Sequence, residues 1–214
     1  MNLTHTLRLV SLPLLASLFF AAPLEAATSE STPSDTVRVA TDDVVAALRA
    51  ELPYTDRIAG VETALTAHVD FLTVSKLVLA RNWKKLDDTQ KNAFETAFRE
   101  HLVLTYWKNA AEADFDEIEI TSDRDEGRGD WTVKTKVGLT GSALLMDYRL
   151  RNFDEGGDGD WRIIDIIIEG VSMVSNFRSQ FQEVFGNSGA KGLIDAVVEK
   201  NGSMSAKQRK AADK

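Results

Sequence analysis

The sequence holds few side chains able to make or break bonds. Its three histidines are His5, His68 and His101, and it has no cysteine. His5 falls in the N-terminal segment that reads as a cleaved signal, while His68 and His101 fall among apolar neighbours on stretches of helical periodicity. No pair of histidines is spaced i, i+4, so the pattern of a zinc site is missing. The stretch Gly170-Val171-Ser172-Met173-Val174 approaches a Gly-x-Ser-x-Gly nucleophile elbow, but Val174 replaces the second glycine. Ser172 reads instead as an N-cap or first-turn residue of the helix that follows. The acidic turns DRDEGRGD and DEGGDGD put Gly127 and Gly156 where a calcium loop needs oxygen ligands, and they read as turns between strands. One catalytic arrangement is left: Asp165 or Glu169 inside a pocket with Tyr148 or Tyr106, a buried carboxylate acting as base in proton abstraction.

These residues depend on a sheet and on the helices around it. Ile118 and Ile120 alternate with Glu117 and Glu119, and Trp131, Val133, Thr135, Val137 and Leu139 with Thr132, Lys134 and Lys136. Leu144, Met146, Tyr148 and Leu150 alternate with Asp147, Arg149 and Arg151, and a fourth strand begins at Trp161. Short polar turns between them predict an antiparallel meander. In the fourth strand, period two puts Ile164, Ile166 and Ile168 on one face and Ile163, Asp165, Ile167 and Glu169 on the other. That second face, neither polar nor fully apolar, suits the border of a cavity or a strand covered by a loop, and the pattern does not choose which of the two faces meets a cavity. The basic face of Lys134, Lys136, Arg149 and Arg151 reads as a solvated side of the sheet.

Helices flank the meander. From Thr41, a candidate N-cap, to about Arg81 the pattern is helical with an interruption at Pro53. Asp87 and Gln90 form a capping-box signature ahead of Phe94, Ala97, Phe98, His101, Leu102 and Thr105 at spacings of three and four. Val103, Tyr106, Trp107 and Ala110 widen that stripe, as expected of a central helix contacted from several sides. Val171 to Phe185 carries Phe177, Phe181 and Phe185 four apart, GNSGAKG interrupts, and Leu193 to Val198 forms a last short helix. The expected class is α+β: a twisted antiparallel meander of four strands or slightly more, wrapped by helices and enclosing an apolar cavity.

The chain opens with Arg8, an uncharged apolar run from Leu9 to Ala22, and small residues around Ala26. The run is shorter than the ~20 residues of a spanning helix and reads as a cleaved secretory signal, residues 1–26. A flexible leader is expected over 27–40, one domain over 41–202 and a disordered basic tail over 203–214. With 25 basic and 33 acidic residues the net charge is −8, which disfavours nucleic acid and non-specific docking on anionic lipid.

Leu77 to Ala110, LVLARNWKKLDDTQKNAFETAFREHLVLTYWKNA, resembles the MlaC proteins, also called the toluene-tolerance family: an apolar run, an aromatic at Trp83, a helix start with Gln90, spaced Phe94 and Phe98, and Tyr106. DIIIEGVSMVSNFRSQFQEVF resembles the family's other signature, with counterparts for Glu169, Gly170, Val171, Ser172, Asn176, Arg178 and Phe181. Gly192-Leu193-Ile194 supplies a late element. Ala80 departs from the pattern, standing where the family usually has glycine.

The resemblance implies a non-catalytic periplasmic carrier without cofactor. It would take a diacyl phospholipid and exchange it with an outer-membrane lipoprotein complex and an inner-membrane ABC transporter, maintaining outer-membrane asymmetry; a monomer is the default expectation for such a shuttle. Two long chains would forfeit on the order of 20 kcal/mol in water at about 0.8 kcal/mol per methylene. The cavity is therefore expected at or above the upper end of the usual ~300–1,000 Å³. Its candidate lining is Phe94, Phe98, Leu102, Tyr106, Val133, Val137, Leu139, Met146, Tyr148, Leu150, Ile163 and Ile167. Glu169, Asn176 and Arg178 are candidates for a headgroup or partner, or for structural bonds to the following turn and to an acidic neighbour. The alternatives are a receptor for another hydrophobic compound or solvent, and a pocket enzyme of the ketosteroid-isomerase type.

Overall fold

The computed structural model describes residues 31–113, 115–154 and 159–212. The expected signal peptide, 1–26, and the first residues of the leader lie outside them. None of the described helices is long and apolar enough to cross a membrane.

Five strands form one antiparallel sheet in sequence order: β1 Phe115–Gly127, β2 Asp130–Leu139, β3 Ser142–Asn152, β4 Trp161–Ile168 and the two-residue β5 Val171–Ser172. Along β2 the alternation is plain, with Val133, Thr135 and Val137 buried and Lys134 and Lys136 exposed. Helices cover the buried face. The other face meets solvent, where Lys134 pairs with Asp147 at 3.5 Å and Arg151 with Asp130 at 2.6 Å. The sheet bends because β1 carries three register irregularities against β2 and β4 carries one against β3.

Two helices begin or end beyond their expected limits. Helix α1 runs Pro33–Arg49, so the stretch expected as flexible leader is helical from Pro33, and Thr41 sits inside the helix rather than capping it. The cap is Thr32, whose side chain accepts from the Asp35 N–H in a capping box with proline at the first position. Thr36, Val37 and Ala40 are then buried against the sheet. At the other end, α5 runs Met173–Ala212, and the expected tail is helical to Ala212. The segment Ala206 to Ala212 is rich in helix formers, and Gln208 anchors it by accepting from the Tyr54 hydroxyl and donating to the Leu104 carbonyl, both at 2.8 Å. GNSGAKG interrupts this span as the sequence predicts: Gly189 takes φ 67° and ψ −169°, outside the helical region and suited to glycine, so two helical stretches meet there at a kink.

Between these lie α2 Tyr54–His68, α3 Phe71–Leu79, a 3₁₀ turn Ala80–Lys85, and α4 Asp88–Glu112. The Asp87–Gln90 capping box forms as the sequence predicts, with the Gln90 N–H bonded to Asp87 at 2.8 Å. Ala80 has φ 50°. This positive φ is the physical reason a glycine is favoured at that position.

The wide apolar arc of α4 serves two neighbours. Phe94 and Phe98 interlock with Phe177 and Phe181 of α5, ring centroids 5.2–5.7 Å apart. Each such pair contributes ~0.5–1.5 kcal/mol beyond the area it buries. Val103 and Trp107 face the other way, packing with Leu48 of α1 and Val61 of α2.

Candidate functional site

The helices do not close fully on the sheet. Between α1, α2, α4, the start of α5 and the buried faces of β2, β3 and β4 lies a cavity of about 480 Å³. Its lining is buried at Leu48, Val61, Phe98 and Leu102 and more exposed at Val44, Asn109, Leu139 and Leu144. The mouth therefore opens between α1, the C-terminal end of α4 and the β2–β3 hairpin. The volume falls in the middle of the usual ~300–1,000 Å³ range, below the size expected for two long chains.

Asp165 is the one charged side chain among the described lining residues. Its carboxylate accepts from the Ser172 hydroxyl at 2.6 Å and from the Val174 N–H at 3.0 Å. Ser172 in turn accepts from the Ser175 N–H at 3.0 Å. An acidic residue thus stands inside an isoleucine strand because it holds the orphan donors at the start of α5. A base for proton abstraction needs a carboxylate free to reach a substrate, and this one has both oxygens engaged. Burial raises the pKa of Tyr148 and of Tyr106 above the ordinary phenol value, so both stay protonated hydroxyls.

The aim of Asp165 comes from the irregularity in β4. Arg149 is opposite Asp165 while Leu150 is opposite Ile163, leaving Ile164 as the extra residue. Past that bulge the faces are exchanged. Ile163, Ile166 and Ile168 line the cavity together, and Ile167, expected there, lies on the outer face beside Lys134, Asp147 and Arg149.

The structure brings Phe98, Leu102, Tyr106, Val137, Leu139, Met146, Tyr148 and Ile163 together around the cavity. Three further candidates are core instead. Phe94 is sealed in the aromatic cluster, and Val133 and Leu150 are fully buried where α1 packs on the sheet. They share a face with lining residues but sit too far along their elements to reach the space. Glu169 accepts from the Leu145 N–H at 2.8 Å, across the sheet rather than in the following turn, and itself adopts φ 48°. Arg178 donates to the Leu77 carbonyl at 2.9 Å, tying α5 to α3 rather than to an acidic neighbour. Asn176 is exposed and accepts from Gln180 one turn on.

The sequence reading missed most of the wall, including Val44 and Leu48 from α1, Val61 and Leu65 from α2, Trp107 from α4, and Phe177 from α5. The signal was present in α1, where Val37, Val44 and Leu48 recur at multiples of a helical turn once the helix starts at Pro33.

The fold and site define an α+β domain built round an apolar cavity with a narrow polar inventory. The sequence matches the MlaC protein family over residues 38–199, and the chain belongs to that family. Its fold is similar to that of a phospholipid-binding protein from Ralstonia solanacearum whose structure was determined with a phospholipid, with a TM-score of 0.71 at 22% identity. That likeness covers 79% of this chain and 97% of the other.

Proposed function

We propose that this protein is a periplasmic phospholipid carrier that moves lipid between an outer-membrane lipoprotein complex and an inner-membrane ABC transporter, sustaining outer-membrane asymmetry without catalysis. The observation that carries the reading is the cavity, apolar on nearly every wall, with its one carboxylate engaged in capping a helix. Membership of the MlaC family and the phospholipid-bound neighbour of the same fold support it. Each buried methylene gains about 0.8 kcal/mol, so a cavity of this kind replaces the bilayer for acyl chains in transit. Since its volume falls short of two long chains, loading a diacyl lipid widens it at the partly exposed wall of α1 and the β2–β3 hairpin.

The test is native mass spectrometry with lipid extraction on protein purified from the periplasm without detergent. Diacyl phospholipid near one per chain is expected. A folded protein that is empty, and stays empty when offered phospholipid vesicles, refutes the reading and moves a receptor for another hydrophobic compound ahead.

A further inference from the structure

Only six described lining side chains carry a polar nitrogen or oxygen: Thr41, Tyr106, Trp107, Asn109, Tyr148 and Asp165. Asp165 is engaged by Ser172 and Val174. Thr41 donates to the Val37 carbonyl at 2.9 Å and shares a hydrogen bond with Tyr148. Trp107 is buried, with Tyr54 on its ring edge-to-face at 5.5 Å and Arg57 over it at 5.2 Å. The Tyr106 hydroxyl and the Asn109 amide are left, and neither has a hydrogen-bond partner among the described residues.

Their placement is graded. Along α4 the side chains pass from buried Leu102 to half-buried Tyr106 to exposed Asn109. Three residues of helix rise about 4.5 Å, so Asn109 stands one layer nearer to solvent on the same wall. A lipid whose chains fill the cavity presents its polar atoms in a similar order, with ester carbonyls first and the phosphate further out. Both protein groups are uncharged donors, and no described lining residue is a cation.

We propose that Tyr106 and Asn109 form a polar collar at the cavity mouth, the Tyr106 hydroxyl donating to an ester carbonyl of the bound lipid and the Asn109 amide to its phosphate. The inference rests on the carrier reading and adds what that reading leaves open, the selectivity of the site. A collar of neutral donors holds the parts common to all diacyl phospholipids. It does not sort them by headgroup charge.

The experiment uses delipidated full-length mature protein and vesicles containing equal phosphatidylethanolamine and phosphatidylglycerol, with a dialkyl ether phospholipid lacking ester carbonyls as a second probe. The wild type takes up both diester lipids within about 3-fold of each other, since neither headgroup charge meets a fixed counter-charge. Tyr106→Phe binds diester lipid ~3–10-fold more weakly, the loss of one hydrogen bond, and binds the ether lipid as the wild type does. Asn109→Leu loses on the order of 10-fold for both classes, because phosphate is common to them.

A headgroup preference beyond about 10-fold overturns the proposal. So do variants that bind like the wild type, or a Tyr106→Phe defect equally large with the ether lipid. A wild type that takes up no phospholipid at all sinks the carrier reading and the collar with it. Normal uptake by wild type and variants alike sinks the collar alone.

Discussion

Ile166 and Ile167 are adjacent, identical in type and opposite in placement, which makes them a matched pair for testing where the cavity lies. Ile166 lines it, opposite Tyr148 in the sheet. Ile167 lies on the outer face, opposite Asp147 and near Lys134 and Arg149. Ile166→Asp puts a carboxylate on the wall, and the water it retains denies contact to the methylenes beside it. Four such methylenes at about 0.8 kcal/mol each amount to ~3 kcal/mol, or on the order of 100-fold in lipid affinity. Ile167→Asp adds a like charge across from Asp147 at a cost of ~0–1 kcal/mol and leaves the wall untouched. Ile166→Ala removes apolar area without introducing charge and should weaken binding less than 10-fold, separating polarity from lost packing. Circular dichroism and thermal melts establish that each variant is folded, and uptake of labelled phospholipid from vesicles gives the affinity. Wild-type occupancy in folded Ile166→Asp, or an equal loss in Ile167→Asp, would refute the placement of the faces.

Other positions test the account of the fold. Asp165→Ala leaves the Val174 N–H buried and unpaired, costing ~2–4 kcal/mol and lowering Tm by roughly 4–12 °C, whereas Asp165→Asn keeps an acceptor and costs less; a stable Asp165→Ala protein that has lost its function would point to carboxylate chemistry. Ala80→Gly relieves the positive φ and should raise Tm by about 2–4 °C in a thermal scan. Truncation after residue 202 removes the Gln208 bonds to Tyr54 and Leu104 and should cost ~1–3 kcal/mol; an unchanged melting curve would mean that the segment does no structural work. Burial holds the pKa of His101 below its ordinary value of 6.5, against the opposing hydrogen bond that its Nδ1 donates to the Asn201 Oδ1. Below that pH the unfolded chain therefore binds more protons than the folded one, and stability falls as pH drops. His101→Asn, able to keep a donor toward Asn201, should flatten the acid limb of a Tm-versus-pH curve.

The periodicities made the meander, the capping box of α4 and the phenylalanine ladder of α5 legible, because each is a local pattern with a local cause. The face of Ile167 was not. A bulge moves the pairing by one residue without changing the residue types, and what fixes it is the demand of Val174 and Ser172 for the Asp165 carboxylate. Phe94, Val133 and Leu150 failed as lining residues for another reason: periodicity tells which face a residue takes, not how far along the element the cavity extends. Helix α1 was hidden by composition. Thr, Pro, Ser and Asp read as disorder when counted, yet in the order Thr32-Pro33-Ser34-Asp35 they are a helix start.

The placement of the packed clusters bears on how the proposed carrier would keep its fold without lipid. Phe94, Phe98, Phe177 and Phe181 lock α4 to α5; Val133 and Leu150 pack under Val37 and Ala40; and Leu48, Val61, Val103 and Trp107 join α1 and α2 to α4. The cavity lies where these three clusters meet, and each is complete without anything inside it. Lipid therefore adds stability by binding to a fold already formed, through RT ln(1 + [L]/Kd), rather than by completing the core. That separation also suits release. In the proposed carrier the β2–β3 hairpin and the end of α1 beside the mouth would move outward while the α4–α5 aromatic cluster stays intact, so a docking partner would work against the contacts of the cargo and the packing of α1 at the mouth, not against the aromatic cluster.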